Sequence, residues 1–400
     1  MQGAFWSFQA VFPGYLAAYL MANGFSASVW GILQATNLLF CLLGSLFWGA
    51  WIDRHQASRR FYLLSNAAVG ILGILIYLTS GTPLLTFILY PLFGLMNGPI
   101  ATTLDAWVIA TFPDNPDAGP QSRSYATLCY AIVMLLSGQL ISALGYFIMP
   151  YGLCLFLGIS IFTATLQPEI HPEAETISVT SELNAGTSLK NKLSQLFSSR
   201  AYVLLTLAML FTAMCNAPIN NMKVVVFRNV GGDIRYIGWD SFIGCMCQLP
   251  FLTFSRQLRR FKAEVRLLLG ILASIVYAGL IMIASTPNMV IMATIMANIN
   301  FGLLFPAMRE ITEKSTPHAL RNSAHSVIDV AYGSLSGMIS CLWSGYVIEN
   351  FGTASMAGIA MCLGLVSLGF AFRIAQGSSK RVSRLPRPHI PVPVRMISHR

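Results

Sequence analysis

Gly44-Ser45-Leu-Phe-Trp-Gly49-Ala-Trp-Ile-Asp53-Arg54-His-Gln-Ala-Ser-Arg59-Arg60 closes one long apolar run and opens the next. Ser45 and Gly49 stand four apart, so they share a helix face and let a neighbouring backbone come close. Asp53 and Arg54 end the apolar run. Arg59 and Arg60 hold that end in the compartment where positive charge accumulates. That bias accounts for the arginines but not for the spacing from Gly49 to Asp53.

Outward from this turn the chain is apolar. Of its 400 residues, 55% are hydrophobic and 10% charged, against about 25% charged in soluble chains. A helix crosses a bilayer with about 20 apolar residues. Runs of that kind cover 3–22, 28–52, 61–80, 84–112, 121–144 and 146–166, then 201–227, 237–255, 265–285, 288–311, 322–347 and 352–374, here spans 1 to 12. The expected fold is therefore all-α and integral to the membrane, with twelve transmembrane helices in two six-helix bundles, 1–166 and 201–375. Residues 167–200, with Glu169, Glu173, Glu175, Glu182, Lys190 and Lys192, read as a flexible cytoplasmic linker. Residues 376–400, with three arginines and four prolines from Arg381 to Pro393, read as a disordered basic tail with lipid contact. Arg256, Arg259, Arg260 and Lys262 follow span 8 as Asp53 to Arg60 follow span 2, so the halves read as repeats.

A formal net charge of +10 raises nucleic acid as a partner, but the basic residues form short clusters rather than one patch. All but Lys223, Arg228 and Arg235 of the 25 Lys and Arg lie in the linker, the tail, or the even-to-odd connections and adjoining helix ends. The positive-inside rule then makes both termini cytoplasmic in a multi-pass bacterial inner-membrane protein. The eight cysteines all lie in apolar segments and read as small core residues, with no metal site and no cofactor. No H-E-x-x-H, nucleophile elbow or phosphate loop occurs, so no residue reads as catalytic and the chain is not expected to be an enzyme.

An ionisable side chain in a bilayer is expensive and is a functional candidate by default. Asp105 lies near the inner end of span 4, Arg123 near the start of span 5, Lys223 at the outer end of span 7, Asp240 at the outer start of span 8, and Asp329 in the inner half of span 11. Asn216, Asn220 and Lys223 share a face of span 7; Gln2, Trp6 and Gln9 share one of span 1; Asn97 and Asp105 lie on similar sides of span 4. Such stripes line a water-filled cavity or join helices by hydrogen bonds. Lys223 and Asp329 differ in depth by roughly 20 Å at 1.5 Å per residue, which excludes a pair. Lys223 and Asp240 are close in depth and suit a gate, with snorkelling of Lys223 to the interface as the alternative. A carboxyl neutralised by desolvation can carry a proton. Asp105 and Asp329 are the candidates, with Asp329 ahead because Arg123 would keep Asp105 charged.

The pattern from Gly49 to Arg60 resembles the loop between helices 2 and 3 of the major facilitator superfamily, with Gln56 where that family carries glycine. Over nearly its whole length the chain is similar to the lactose-permease-like branch, the oligosaccharide and related proton symporters. Asp105, Arg123 and Tyr130 carry the most specific match: an acid on helix 4, an arginine 18 residues on, an aromatic seven further. The resemblance implies that these three hold a sugar ring. Asn216, Cys245, Val276 and the uncharged run Met296 to Asn300 stand where that branch carries its charged coupling residues.

The expected function is secondary active, proton-coupled uptake of a small polar solute by a monomer through alternating access. The solute site would comprise Asp105, Arg123, Tyr130, Asn97, Asn216, Asn220, Gln9 and Trp6; Ser45, Gly49, Asp53, Arg54, Arg59 and Arg60 would form the conformational-gate loop. Efflux of amphipathic compounds by antiport is the alternative, and a cavity rich in aromatics and methionines would favour it. The Asp105–Arg123 pair also fits a structural salt bridge beneath an ordinary buried tyrosine.

Overall fold

A computed structural model of the chain describes residues 1–55, 57–112, 118–167, 194–253, 260–317 and 320–383. Among them every regular element is helical. Span 1 is Gln2–Val11 followed by Pro13–Ala22; Pro13 has no N–H to continue the ladder, so the helix restarts there. Spans 2 to 6 are Ala27–His55, Ser58–Leu78, Pro83–Thr111, Ala118–Leu144 and Ile148–Thr165. Span 7 repeats the break of span 1: Arg200–Asn221, with Pro218 inside, stops at Met222 and restarts as Lys223–Asn229. Spans 8, 9 and 10 are Ile234–Thr253, Ala263–Ile283 and Pro287–Ser315. Span 11 begins with Arg321–Val330, passes a π-helical turn at Ala331–Leu335, and continues into Ser336–Ser383, which is two helices joined at Gly352.

Nine helical stretches among the described residues are long and apolar enough to cross a bilayer. One of them, Ser323–Gln376, holds both span 11 and span 12, and the broken span 1 and the proline-bearing span 8 complete a set consistent with twelve. Large side chains such as Phe47, Ile71 and Leu84 point outward, 62%, 62% and 74% exposed, as a lipid-facing surface requires. The last helix runs to Ser383, past the boundary expected at 375, because no proline intervenes before Pro386. The rest of the expected tail, and most of the expected linker, lie outside the described residues.

The described chain begins and ends at one end of the bundle, here the terminal end, where Gln2 reaches Asp105 and Arg59 at the start of span 3 donates to the carbonyl of Thr165 at the end of span 6 (2.6 Å). At the opposite end, here the far end, Gly24 and Gly231 turn the chain after spans 1 and 7, and Gly145 and Gly352 after spans 5 and 11, all with positive φ. The members of each pair stand at one constant separation in sequence. The same separation links Gly31 to Gly238, Gly138 to Gly345, and Pro99 to Pro306. The two halves are thus repeats whose turn and contact residues match one for one.

Four of those glycines join the halves. A Cβ on Gly31 in span 2 would lie 2.4 Å from the carbonyl oxygen of Cys341 in span 11, and one on Gly345 would lie 2.3 Å from that of Ala27. A Cβ on Gly238 in span 8 would meet the carbonyl of Met134 in span 5 at 2.8 Å, and one on Gly138 would meet the hydroxyl of Tyr15 at 2.6 Å. Tyr15 itself donates to Met134. Glu349 accepts from the Ser28 N–H (2.8 Å) and hydroxyl, and the Trp30 indole N–H donates to the carbonyl of Asn221 (3.0 Å). All these contacts are in the far portion of the bundle. One hydrophobic cluster runs through the first half and crosses there into Ile219, Val226, Phe227, Val290 and Ile348. A separate cluster, with Tyr202, Leu267, Ile311 and Ile328, fills the terminal end of the second half. The halves therefore meet at the far end and part at the terminal end.

Gly345→Trp should wedge spans 2 and 11 apart. Cys341, fully buried at this junction, should then react with a maleimide at least tenfold faster, read by mass-spectrometric peptide mapping. Unchanged protection in the folded variant would show that the junction tolerates bulk.

Candidate functional site

The polar residues expected on spans 1, 4 and 5 form one connected network. Gln2 donates to Asp105 Oδ1 (2.9 Å), and the Trp6 indole donates to Gln2 Oε1 (3.1 Å). The Arg123 guanidinium forks onto Asp105, with Nε 3.1 Å from both carboxylate oxygens and a second nitrogen on Oδ2. The same guanidinium lies over the Trp6 ring, 5.5 Å from its centre, and the Trp6 and Tyr130 rings meet edge to face at 6.4 Å. Two turns above, Gln9 donates to Asn97 Oδ1 (2.8 Å). Spacing explains the assembly: Gln2, Trp6 and Gln9 repeat at helical intervals on the first helix, and the antiparallel spans 4 and 5 bring Asp105 and Arg123 level.

The charged pair is not sealed. The Arg123 side chain keeps 50% of its exposure and that of Asp105 28%, at the terminal end where the halves part. A bidentate guanidinium has five donors, so after meeting the carboxylate Arg123 can still donate to a third group. Beside it stand two aromatic rings and the amide of Gln2.

The C-terminal half places its expected residues differently. Asn216 is buried, donating to Ser274 Oγ (2.9 Å) and Asn300 Oδ1 (3.3 Å), while Asn300 donates to the carbonyl of Gly270. It joins spans 7, 9 and 10 and is not brought to the network of the first half. Asn220 is exposed and accepts from the Tyr277 hydroxyl (3.2 Å). Asp329 pairs with Arg309 (3.1 Å), a partner that sequence reasoning missed, and its side chain is 41% exposed. Both proton candidates thus have an arginine, and the reason for ranking Asp329 ahead of Asp105 no longer separates them.

Lys223 and Asp240, expected to lie near each other, form an ion pair of 2.7 Å. Their further partners were not foreseen. The Thr294 hydroxyl on span 10 donates to the other oxygen of Asp240, and Lys223 lies 3.2 Å from that hydroxyl and over the ring of Tyr277. Threonine and tyrosine in an apolar run carry no distinguishing signal in a single sequence.

In the gate loop, the close helix contact is made by Gly44: a Cβ there would lie 2.1 Å from the carbonyl of Leu95. Gly94 and Gly98 of span 4 face Asn37 and Cys41 in the same way. The Ser45 hydroxyl turns back onto Cys41 of its own helix (2.9 Å). Arg54 and Arg60 are exposed and Arg59 ties span 3 to span 6; the Asp53 side chain lies outside what is described.

Comparisons agree with this architecture. The model of the MFS_1 like family matches residues 4–357. The chain is 21% identical over 356 residues to the uncharacterized transporter YwbF of Bacillus subtilis (strain 168), covering 87% of this chain and 84% of that one. Crystal structures of the nucleoside transporter NupG share the fold, with a TM-score of 0.75 at 15% identity, covering 94% of this chain and 96% of that one; a point mutant of NupG gives 0.74 at 16% with the same coverage. The protein is a non-enzymatic multi-pass membrane transporter, and it belongs to the MFS_1 like family.

Proposed function

We propose that the chain takes up a small hydroxylated solute, a sugar or a nucleoside, by alternating access driven by a proton gradient. The observation that carries this reading is the network of Gln2, Trp6, Asp105, Arg123 and Tyr130, drawn from three helices and facing the end where the halves part. A charged fork beside aromatic edges suits a ring that is polar at its rim and apolar on its faces. NupG, a nucleoside transporter by its title, adds nucleosides to sugars as solutes worth testing. Rocking of the two halves about the far-end junction would alternately open each end. In this reading the protein works as a monomer in the inner membrane and the terminal end is cytoplasmic, as the distribution of Lys and Arg indicates.

A reporter active only outside the cytoplasmic membrane, fused after Arg400, should be silent. Activity there would invert the orientation and make the present state outward-facing.

Proteoliposomes offered a panel of radiolabelled sugars and nucleosides should accumulate at least one of them when an inward proton gradient is imposed. Equal uptake with and without the gradient would remove proton coupling. Uptake of none, with export of amphipathic cations in exchange for protons, would turn the reading to efflux.

Arg123→Lys keeps the charge but loses the fork, so affinity for that solute should fall at least tenfold, about 1.4 kcal/mol, in a protein that still inserts. Tyr130→Ala should weaken binding as well. If both variants bind normally, Asp105–Arg123 is a structural salt bridge.

A further inference from the structure

Asp240 is the only carboxylate buried among the described residues, at 1% exposure. It lies seven residues into span 8, about 10 Å below the far end at 1.5 Å per residue. The groups that face it come from every element around it: Lys223 of span 7, Thr294 of span 10, Tyr277 of span 9 behind the lysine, Tyr130 of span 5 across the boundary between the halves, and Cys245 of its own helix. Lys223 is the single cation in that set. Removing one member of such a buried pair leaves a charge whose desolvation costs several kcal/mol. A carboxylate in that position takes up a proton instead.

Lys223 is also placed to leave. It is the first residue of the short helix Lys223–Asn229, directly after the break of span 7 at Met222. The two residues before it are held by the other half: Trp30 of span 2 donates to the carbonyl of Asn221, and the Met222 side chain ends 3.3 Å from where a Cβ on Gly31 would stand. Asp240 and Thr294 have no such tether and belong to continuous helices of the second half. Separation of spans 2 and 11 at the far end therefore acts on the segment that carries Lys223 and not on its partner.

We propose that Asp240 is the proton-binding carboxylate of this transporter, and that Lys223 is a counter-ion withdrawn from it when the far end opens. With the far end closed, as here, Lys223 neutralises Asp240. When it opens, the Nζ–carboxylate contact breaks, a proton from solvent on that side adds to Asp240, and Lys223 keeps its own proton. On closure Lys223 returns and the proton leaves toward the terminal end. The assignment rests on the proton-coupled reading above.

The test needs no solute. Infrared difference spectra of the reconstituted protein report the carbonyl stretch of a protonated carboxylic acid. In Gly345→Trp, with opening verified by labelling of Cys341, that band should be present at about pH 5 to 7, well above the ordinary aspartate pKa of about 3.9. It should vanish when Asp240→Asn is added and persist when Asp329→Asn or Asp105→Asn is added. Gly31→Trp serves where Gly345→Trp does not open. Where Asp240→Asn alone fails to fold, Lys223→Gln with Asp240→Asn supplies a neutral hydrogen-bonded pair, and the band should again be absent. No such band in the open variant, or one that survives removal of Asp240, overturns the assignment. Proton-driven accumulation without the band would overturn the assignment alone; the band without proton-driven accumulation of any solute would sink the coupling reading beneath it.

Discussion

Backbone against backbone, with no side chain between, is the contact on which the molecule turns. Gly31 and Gly345 let spans 2 and 11 touch through the carbonyls of Cys341 and Ala27, and Gly138 and Gly238 do the same for spans 5 and 8. In lipid, helices gain little from burying apolar surface against each other, because the tails are equally apolar. Close packing of small residues supplies the association instead. These four positions are two copies of one arrangement related by the internal repeat, so the two seams are matched and neither is the stronger hinge by design.

Away from the seams, polar groups set what each half can do. The first half gathers its amides, its charged fork and its aromatics toward the open end. The second half turns the same kinds of residue inward: Asn216 and Asn300 satisfy one another and the backbone of span 9, and the Lys223–Asp240 pair is closed over by Thr294. Two repeats with one backbone plan have thus been given different tasks, one presenting polar atoms to solvent and the other withholding them from it.

Much of this was legible in the sequence. The twelve apolar runs, the sharp charged turn after span 2, and the spacing that levels Asp105 with Arg123 all follow from helix geometry and the cost of charge in lipid. What escaped was of two kinds. Partners such as Arg309, Thr294 and Tyr277 depend on which helices are neighbours, and a single sequence does not state that. Asn216 has the spacing of a cavity residue but is covered by Ser274 and Asn300, because helical periodicity says which residues share a face and not what the face meets. The constant separation of the turn and contact glycines was visible in the sequence, but their conformation and contacts are what give it meaning.

The division of the apolar core carries a further consequence. One cluster unites the first half with the far portion of the second, while the terminal end of the second half is held by a cluster of its own around Tyr202, Leu267 and Ile311. Cooperative units of a protein open separately when few contacts join them. The terminal ends of spans 7, 9, 10 and 11 therefore form a unit able to loosen without disturbing the rest, and their amides would exchange with heavy water as a block of their own.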